Sequence, residues 1–309
     1  MTFASRHLAA AALVATTLFW AGNLIAARSL VDVIPPVTLS FWRWIIACVL
    51  LAPFAVRPML RDRATLRQHL PLLSLLALLS AVIFNTLLYV AAHTTTAVNI
   101  GLINATMPLA IGLMAWLILR EQPGPAQALG LAVALPGTVL IVSRGDPLAA
   151  AQLGIQTGDL LMLLAVCAWG LYSILLRRVP AGLHPVSLLM AVILLALPMM
   201  AVAHRLELAA GATLPPMTAF TPNVLATLFY VGLFPSILSY LGWNYGIRVL
   251  GPVRASLFVY LIPVFSALLA LTLLDERLQG YHATGGLLIL AGLWLASRPR
   301  TPVPRTAPS

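Results

Sequence analysis

Charge is what this sequence has least of. Of its 309 residues 8% are charged, and all 18 basic residues are arginine, with no lysine. Soluble globular chains carry about 25% charged residues, so a fold that must cover its surface for water is excluded. The 8 acids fall outside the middles of the apolar runs. That argues against export of polycations and against an obvious proton relay, both of which call for a membrane-buried carboxylate. Cysteine is nearly absent. Cys48 and Cys167 sit inside apolar runs without metal-ligand spacing, which leaves no disulfide framework and no metal site. H-E-x-x-H and paired acids or Ser/His sets at helical spacing are missing too, so an intramembrane enzyme has no catalytic residues to work with. No polar stretch is long enough for a soluble output domain, which counts against a sensor or scaffold. The net charge of +10 is scattered over single arginines and short clusters. Such a scatter makes no phosphate-binding face, and neither a nucleic-acid partner nor a cofactor is expected.

What is present is apolar sequence, 61% of the chain. Runs fall near 8–29, 37–56, 70–92, 97–119 and 126–143, then near 158–178, 184–203, 222–247, 253–274 and 281–297. They predict ten helices, each near the roughly 20 residues that cross a bilayer, and the lipid bilayer is the expected surroundings. The links hold the breakers Pro35, Pro36, Pro123, Pro125, Pro180, Pro185, Pro215, Pro216 and Pro252, with no soluble domain between them. The first run follows Arg6 as a signal peptide would, but it exceeds a signal h-region and is expected to stay as the first helix. Residues 299–309, rich in Pro and Arg, are expected to form a disordered tail. With the N-terminus inside, thirteen arginines fall on the inner side and four on the outer. Both termini are therefore expected in the cytoplasm.

One stretch occurs twice. Ala97 to Glu121 matches Pro252 to Glu276 at an offset of 155 residues, with Pro108 on Pro263 and Glu121 on Glu276. The register continues, placing Gly130 on Gly285 and Gly137 on Gly292. Identities of special residue types in one register indicate an internal duplication. Five helices per copy is an odd number, so the second copy enters the membrane from the opposite side. The expected architecture is an all-α integral membrane protein of ten transmembrane helices in two inverted five-helix repeats, 1–150 and 151–298. Such repeats build many secondary transporters, with the substrate near the midplane between the halves. Two halves in one chain can complete a pathway, so a monomer is sufficient.

Pro108 and Pro263 free the carbonyls of Asn104 and Val259 from helical bonding, at about 3 kcal/mol each in water. Two readings stand: hinges beside a central cavity, or kinks that improve packing. Glu121 and Glu276 oppose the dipole at their helix ends and are read as solvated ends beside Arg120 and Arg277. The glycine pairs, spaced seven apart on one helix face, are read as close-packing positions.

The polar residues within spans are mostly amides. Asn23, Asn85, Asn99, Asn104 and Asn244, with Trp20, Tyr89, Trp169, Tyr172, Tyr240 and Tyr260, make up the candidate substrate site. Amides and bent-helix ends suit the amino and carboxylate groups of a zwitterion, and rings suit its apolar body. Helix-to-helix bonding or interface anchoring is the alternative for each. Trp42, Trp44, Trp116 and Trp294 are assigned as interface anchors. Two readings stand for Arg43, within the second helix: pairing with a substrate carboxylate, or snorkelling and tying down backbone carbonyls. The second is preferred because that helix is expected at the periphery.

Trp20-Ala21-Gly22-Asn23, Arg43 in Phe-Trp-Arg-Trp, the Pro108–Glu121–Gly130–Gly137 series with its second copy, and Gly158-Asp159-Leu160 leading to Trp169-Gly170-Leu171-Tyr172 resemble EamA-type transporters of the drug/metabolite transporter superfamily. The resemblance covers nearly the whole chain and, within the family, is nearest to bacterial aromatic amino-acid exporters. It implies an inner-membrane exporter of small metabolites, amino acids first, working by alternating access. Neutral drugs or nucleosides are the alternative cargo.

Overall fold

The apolar runs fold as helices, and their prolines decide where many of them begin. A computed structural model describes residues 3–30, 32–121, 124–152, 156–273 and 279–297. The expected tail, with Glu276 and Arg277, lies outside the described residues. The elements are α1 (Phe3–Leu30), α2 (Pro36–Gln68), α3 (Leu70–Ala77), α4 (Asn85–Thr94), α5 (Ala97–Asn104), α6 (Met107–Leu119), α7 (Pro125–Val142), and the short α8 (Pro147–Ala151). They continue as α9 (Thr157–Leu175), α10 (Pro185–Ala209), α11 (Pro222–Gly232), α12 (Ser239–Leu250), α13 (Pro252–Leu257), α14 (Leu261–Leu273) and α15 (Gly280–Ser297). Among the described residues there is no strand. Nine segments among them are long and apolar enough to cross a membrane, and Gly280–Ala296 is a shorter apolar helix. Pro36, Pro125, Pro147, Pro185, Pro222 and Pro252 each stand in a first turn, where the missing N–H has no helical partner to lose.

Two crossings are helical throughout but change winding partway. Leu78–Phe84 joins α3 to α4 and Leu233–Leu238 joins α11 to α12, each as a π turn. Their first residues are 155 apart, the offset of the duplicated proline stretch. A π turn displaces the i→i−4 bonding and leaves carbonyls to be satisfied by side chains. Ser80 O takes donors from Asn85 Nδ2 at 2.7 Å and Tyr240 Oη at 3.1 Å. At the matching position, Pro235 O takes Arg43 Nη2 at 3.0 Å and Trp20 Nε1 at 3.4 Å. Pro235 also deprives Val231 O of an amide, and Ser236 Oγ replaces it at 2.6 Å.

The α-helical winding is interrupted just before each of the two prolines. α5 ends at Asn104 and α6 restarts at Met107; α13 passes through a 3-10 turn, Phe258–Tyr260, into α14. Pro108 and Pro263 therefore stand in the first turns of α6 and α14 and avoid the cost of an interior proline.

α2 departs from its expected end near residue 56. It runs on to Gln68 through Pro53 and Pro58, and it is anchored there by a contact with α10. Asp62 on the extension accepts the backbone N–H of His184 at 3.0 Å, just before Pro185 opens α10. The far end of α10 returns the arrangement. Glu207 accepts the N–H groups of Val37 and Thr38 at 2.8 and 2.7 Å, and the Thr38 hydroxyl at 2.7 Å, at the start of α2. His204 Nδ1 lies 3.0 Å from the same hydroxyl; with that proton given to Glu207, the imidazole is the donor. Each helix thus places a carboxylate on the other's N-terminus, where the helix dipole favours it.

α7 and α15 cross through the glycines. A Cβ on Gly130 would meet Gly292 O at 2.5 Å, and one on Gly292 would meet Gly130 O at 2.6 Å. Gly137 and Gly285 show the same reciprocity at 2.6 and 2.7 Å. These four glycines let the two backbones touch. The main core lies between α1, α2, α4, α9, α10 and α12, around the fully buried rings of Trp44, Trp169 and Trp243. Trp116 and Trp294 are exposed, whereas Trp44, expected as an interface anchor, is fully buried. Its ring packs edge-on to Tyr240 at 5.1 Å, because its position on α2 faces α10 and the core.

Candidate functional site

The π turns and broken helices converge on one cleft. Trp20, Asn23 and Leu24 line it from α1, Arg43 from α2, Asn85 and Leu88 from α4. Phe84 ends the first π turn, Asn104 and Met107 flank the α5–α6 break, and Met162 and Trp169 come from α9. Val259 and Ile262 flank the start of α14. The cleft is narrow, with a cavity volume of about 40 Å³, well below the roughly 300–1,000 Å³ of ligand pockets, so a cargo the size of an amino acid needs the lining side chains to move apart.

Its apolar wall is built on Trp169. The rings of Phe84, Tyr172, Trp20, Tyr240 and Trp243 surround it with centroids 4.7, 5.0, 5.3, 5.4 and 5.7 Å away. Gly170 beside it keeps the wall close to α6, since a Cβ there would reach Met114 Sδ at 3.0 Å. Trp169 is fully buried, yet its Nε1 has no protein partner.

The polar wall is neutral except at Arg43. Asn85 donates to Ser80 O and, at 2.9 Å, to the Tyr240 hydroxyl. Asn23 Oδ1 accepts the Tyr89 hydroxyl at 3.2 Å, and that hydroxyl accepts Arg43 Nη1 at 3.0 Å. Asn104 Oδ1 is buried with no partner. No carboxylate is among the lining residues. Among the described residues no group of His, Cys, Asp or Glu could hold a metal ion.

The candidate residues therefore fall into three groups. Trp20, Asn23, Asn85, Asn104 and Trp169 line the cleft. Tyr89, Tyr172, Tyr240 and Asn244 stand behind it: Tyr89 and Tyr240 bond lining amides, and Tyr172 packs on Trp169 while giving its hydroxyl proton to Asn244 at 2.8 Å. Asn99 and Tyr260 lie elsewhere. Asn99 Nδ2 bonds Asp159 Oδ2 at 3.0 Å and Thr95 Oγ1 at 3.2 Å, tying the start of α5 to that of α9. Tyr260 packs with Ala105, Ala134 and Ile289 under the α7–α15 crossing. Pro108 and Pro263 each adjoin a lining residue, Met107 and Ile262. Glu121 pairs with Arg177 at 3.5 Å, both partly exposed, and not with its neighbour Arg120.

Arg43 ties down a backbone carbonyl, Pro235 O at 3.0 Å, as its structural reading expects, but it does so from the wall of the cleft and not from the periphery. α2 does present an outer face, with Val49 and Phe54 exposed, but Arg43 is 1% exposed and points the other way. Its signal was the charge itself, within an apolar run.

Comparison with known proteins bears on the same region. The profile described as the EamA-like transporter family matches residues 7–143 and again 156–298. An "Uncharacterized transporter" of Archaeoglobus fulgidus is 27% identical, the match covering 91% of this chain and 94% of that one. A "Probable terminal-alkyne amino-acid exporter" of Streptantibioticus cattleyicolor is 28% identical over 93% and 92%. A "Riboflavin transporter" of Brucella anthropi is 27% identical over 67% and 69%. One solved crystal structure shares the fold with a TM-score of 0.73 at 20% identity, covering 96% of this chain and 97% of that chain.

Proposed function

The chain belongs to the EamA-like transporter family, and from that premise we propose that it exports small neutral amino acids, aromatic ones first, across a bacterial inner membrane. It is a multi-pass membrane protein. Ten helices in two five-helix copies, 1–150 and 151–298, face opposite ways with both termini in the cytoplasm. The copies rock about the cleft, opening it to each side in turn. The π turns at one offset, the reciprocal glycine crossing of α7 with α15, and the exchange of carboxylates between α2 and α10 all support a twofold relation. Under a twofold, residue i touching j requires the copy of j to touch the copy of i, as Gly130–Gly292 and Gly137–Gly285 do.

The observation that carries the cargo reading is the pairing, in one cleft, of unattached polar groups with an aromatic wall. Asn104 Oδ1 accepts an ammonium, and the rings around Trp169 take an apolar side chain. Pro108 and Pro263 serve as hinges between rigid half-helices. The relative named as an amino-acid exporter favours the same reading. The relative named as a riboflavin transporter favours a neutral heteroaromatic cargo as the second reading. Proteoliposomes loaded with tritiated phenylalanine or tryptophan test both. Saturable efflux competed by aromatic amino acids, and not by nucleosides or flavins, is expected. Absence of saturable amino-acid flux rejects the first reading.

A further inference from the structure

We propose that Arg43 is the anchor for a carboxylate on the transported molecule, so that an anionic group and not only a neutral amide surface selects the cargo. The proposal deepens the amino-acid reading and rests on it for the rest of the ligand. Arg43 is 1% exposed and lines the cleft. Its three protein contacts are all neutral: Nε to Ser236 Oγ at 2.6 Å, Nη1 to Tyr89 Oη at 3.0 Å and Nη2 to Pro235 O at 3.0 Å. Among the described residues no carboxylate stands within ion-pair distance of it.

A buried guanidinium without a counter-charge is costly, because its desolvation is not repaid by an ion pair. The ring of Trp44, 5.4 Å away, offsets part of that as a cation–π contact but supplies no counter-charge. Guanidinium has five N–H donors. The three contacts leave one N–H on each terminal nitrogen for a charge-assisted bond to a carboxylate. The contacts also hold the group still, from Ser236 and Pro235 on the second π turn and Tyr89 on α4.

Two more unsatisfied groups line the same cleft, the donor Trp169 Nε1 and the acceptor Asn104 Oδ1. One acceptor and an excess of donors is the complement of an α-amino acid, whose carboxylate accepts and whose ammonium donates.

The test uses matched ligands with the full chain in detergent, read by thermal shift and by tryptophan fluorescence. The pairs are phenylalanine with phenylalaninamide, 3-phenylpropionate with 3-phenylpropionamide, leucine with leucinamide, and orotate with uracil. The acid is expected to bind roughly ten- to a hundredfold more tightly than its partner, the range that charge-assisted hydrogen bonds confer. Arg43→Gln is expected to abolish that preference, and Arg43→Lys to keep part of it. An acid preference confined to the orotate pair sinks the amino-acid cargo and upholds the Arg43 assignment. Equal binding within every pair, no binding in any, or a preference that survives Arg43→Gln overturns the assignment. Where Arg43→Gln does not fold, the wild-type pairs and Arg43→Lys decide.

Discussion

Asn85 donates its side-chain N–H to the hydroxyl of Tyr240 at 2.9 Å, and these two residues stand 155 positions apart, in register with the two π turns. Both donate to Ser80 O. If the two copies are related by a twofold as proposed, this contact lies at its axis, where equivalent positions meet. Trp20 and Trp169, which open the similar Trp-x-x-Asn and Trp-x-x-Tyr stretches, also touch, with centroids 5.3 Å apart. The hydrogen bonds one turn further on trade places: Tyr89 serves Asn23, and Tyr172 serves Asn244.

The Asn85–Tyr240 bond is expected to couple the halves measurably. Asn85→Ala and Tyr240→Phe, combined in a double-mutant cycle on thermal or denaturant stability, should show an interaction of about 0.5–2 kcal/mol. Additive effects would mean that the bond contributes nothing to holding the halves together.

The glycine crossing leads to a sharper expectation. Gly130→Ala or Gly137→Ala pushes a methyl into a carbonyl 2.5–2.6 Å away, and overpacking of this kind costs about 1–3 kcal/mol. Gly112 and Gly286, where a Cβ meets nothing within 4 Å, are the controls. Alanine there should leave the melting temperature unchanged or slightly higher.

Exchanged caps at opposite ends of α2 and α10 should act independently. Asp62→Asn and Glu207→Gln keep the shape and remove the charge at each helix start, and each is expected to cost about 0.5–2 kcal/mol. The sites sit at opposite ends of the two helices, so the double variant should lose the sum. A double variant no weaker than either single one contradicts this.

The all-helical fold and the apolar segments long enough to cross a membrane, nine of them among the described residues, could be read from residue types and spacing. Trp20, Asn23, Asn85, Asn104 and Trp169, singled out as amides and indoles inside apolar runs, do line one cleft. Asn99 misled because it shares that chemistry, while Thr95, Thr96 and Asp159 around it make a cap. The π turns leave no mark on hydrophobic periodicity, and only Pro235 hinted at the second. The end of α2 was missed because Pro53, Pro58 and four arginines look like a loop, whereas Asp62 docked on α10 keeps the helix going. Trp44 shows how little sequence says about which face of a peripheral helix turns inward.

The most direct test compares cleft and non-cleft variants in one flux assay. Saturable efflux of tritiated phenylalanine from proteoliposomes is to be measured for the wild type, Asn23→Ala, Trp169→Ala and Asn99→Ala at matched incorporation. Asn23→Ala and Trp169→Ala are expected to lose about tenfold or more in efflux rate per KM, the worth of one well-placed polar or aromatic contact. Asn99→Ala should keep the wild-type KM while melting earlier. Unchanged flux in both cleft variants, or a KM effect of Asn99→Ala as large as theirs, contradicts a transport site between the two halves.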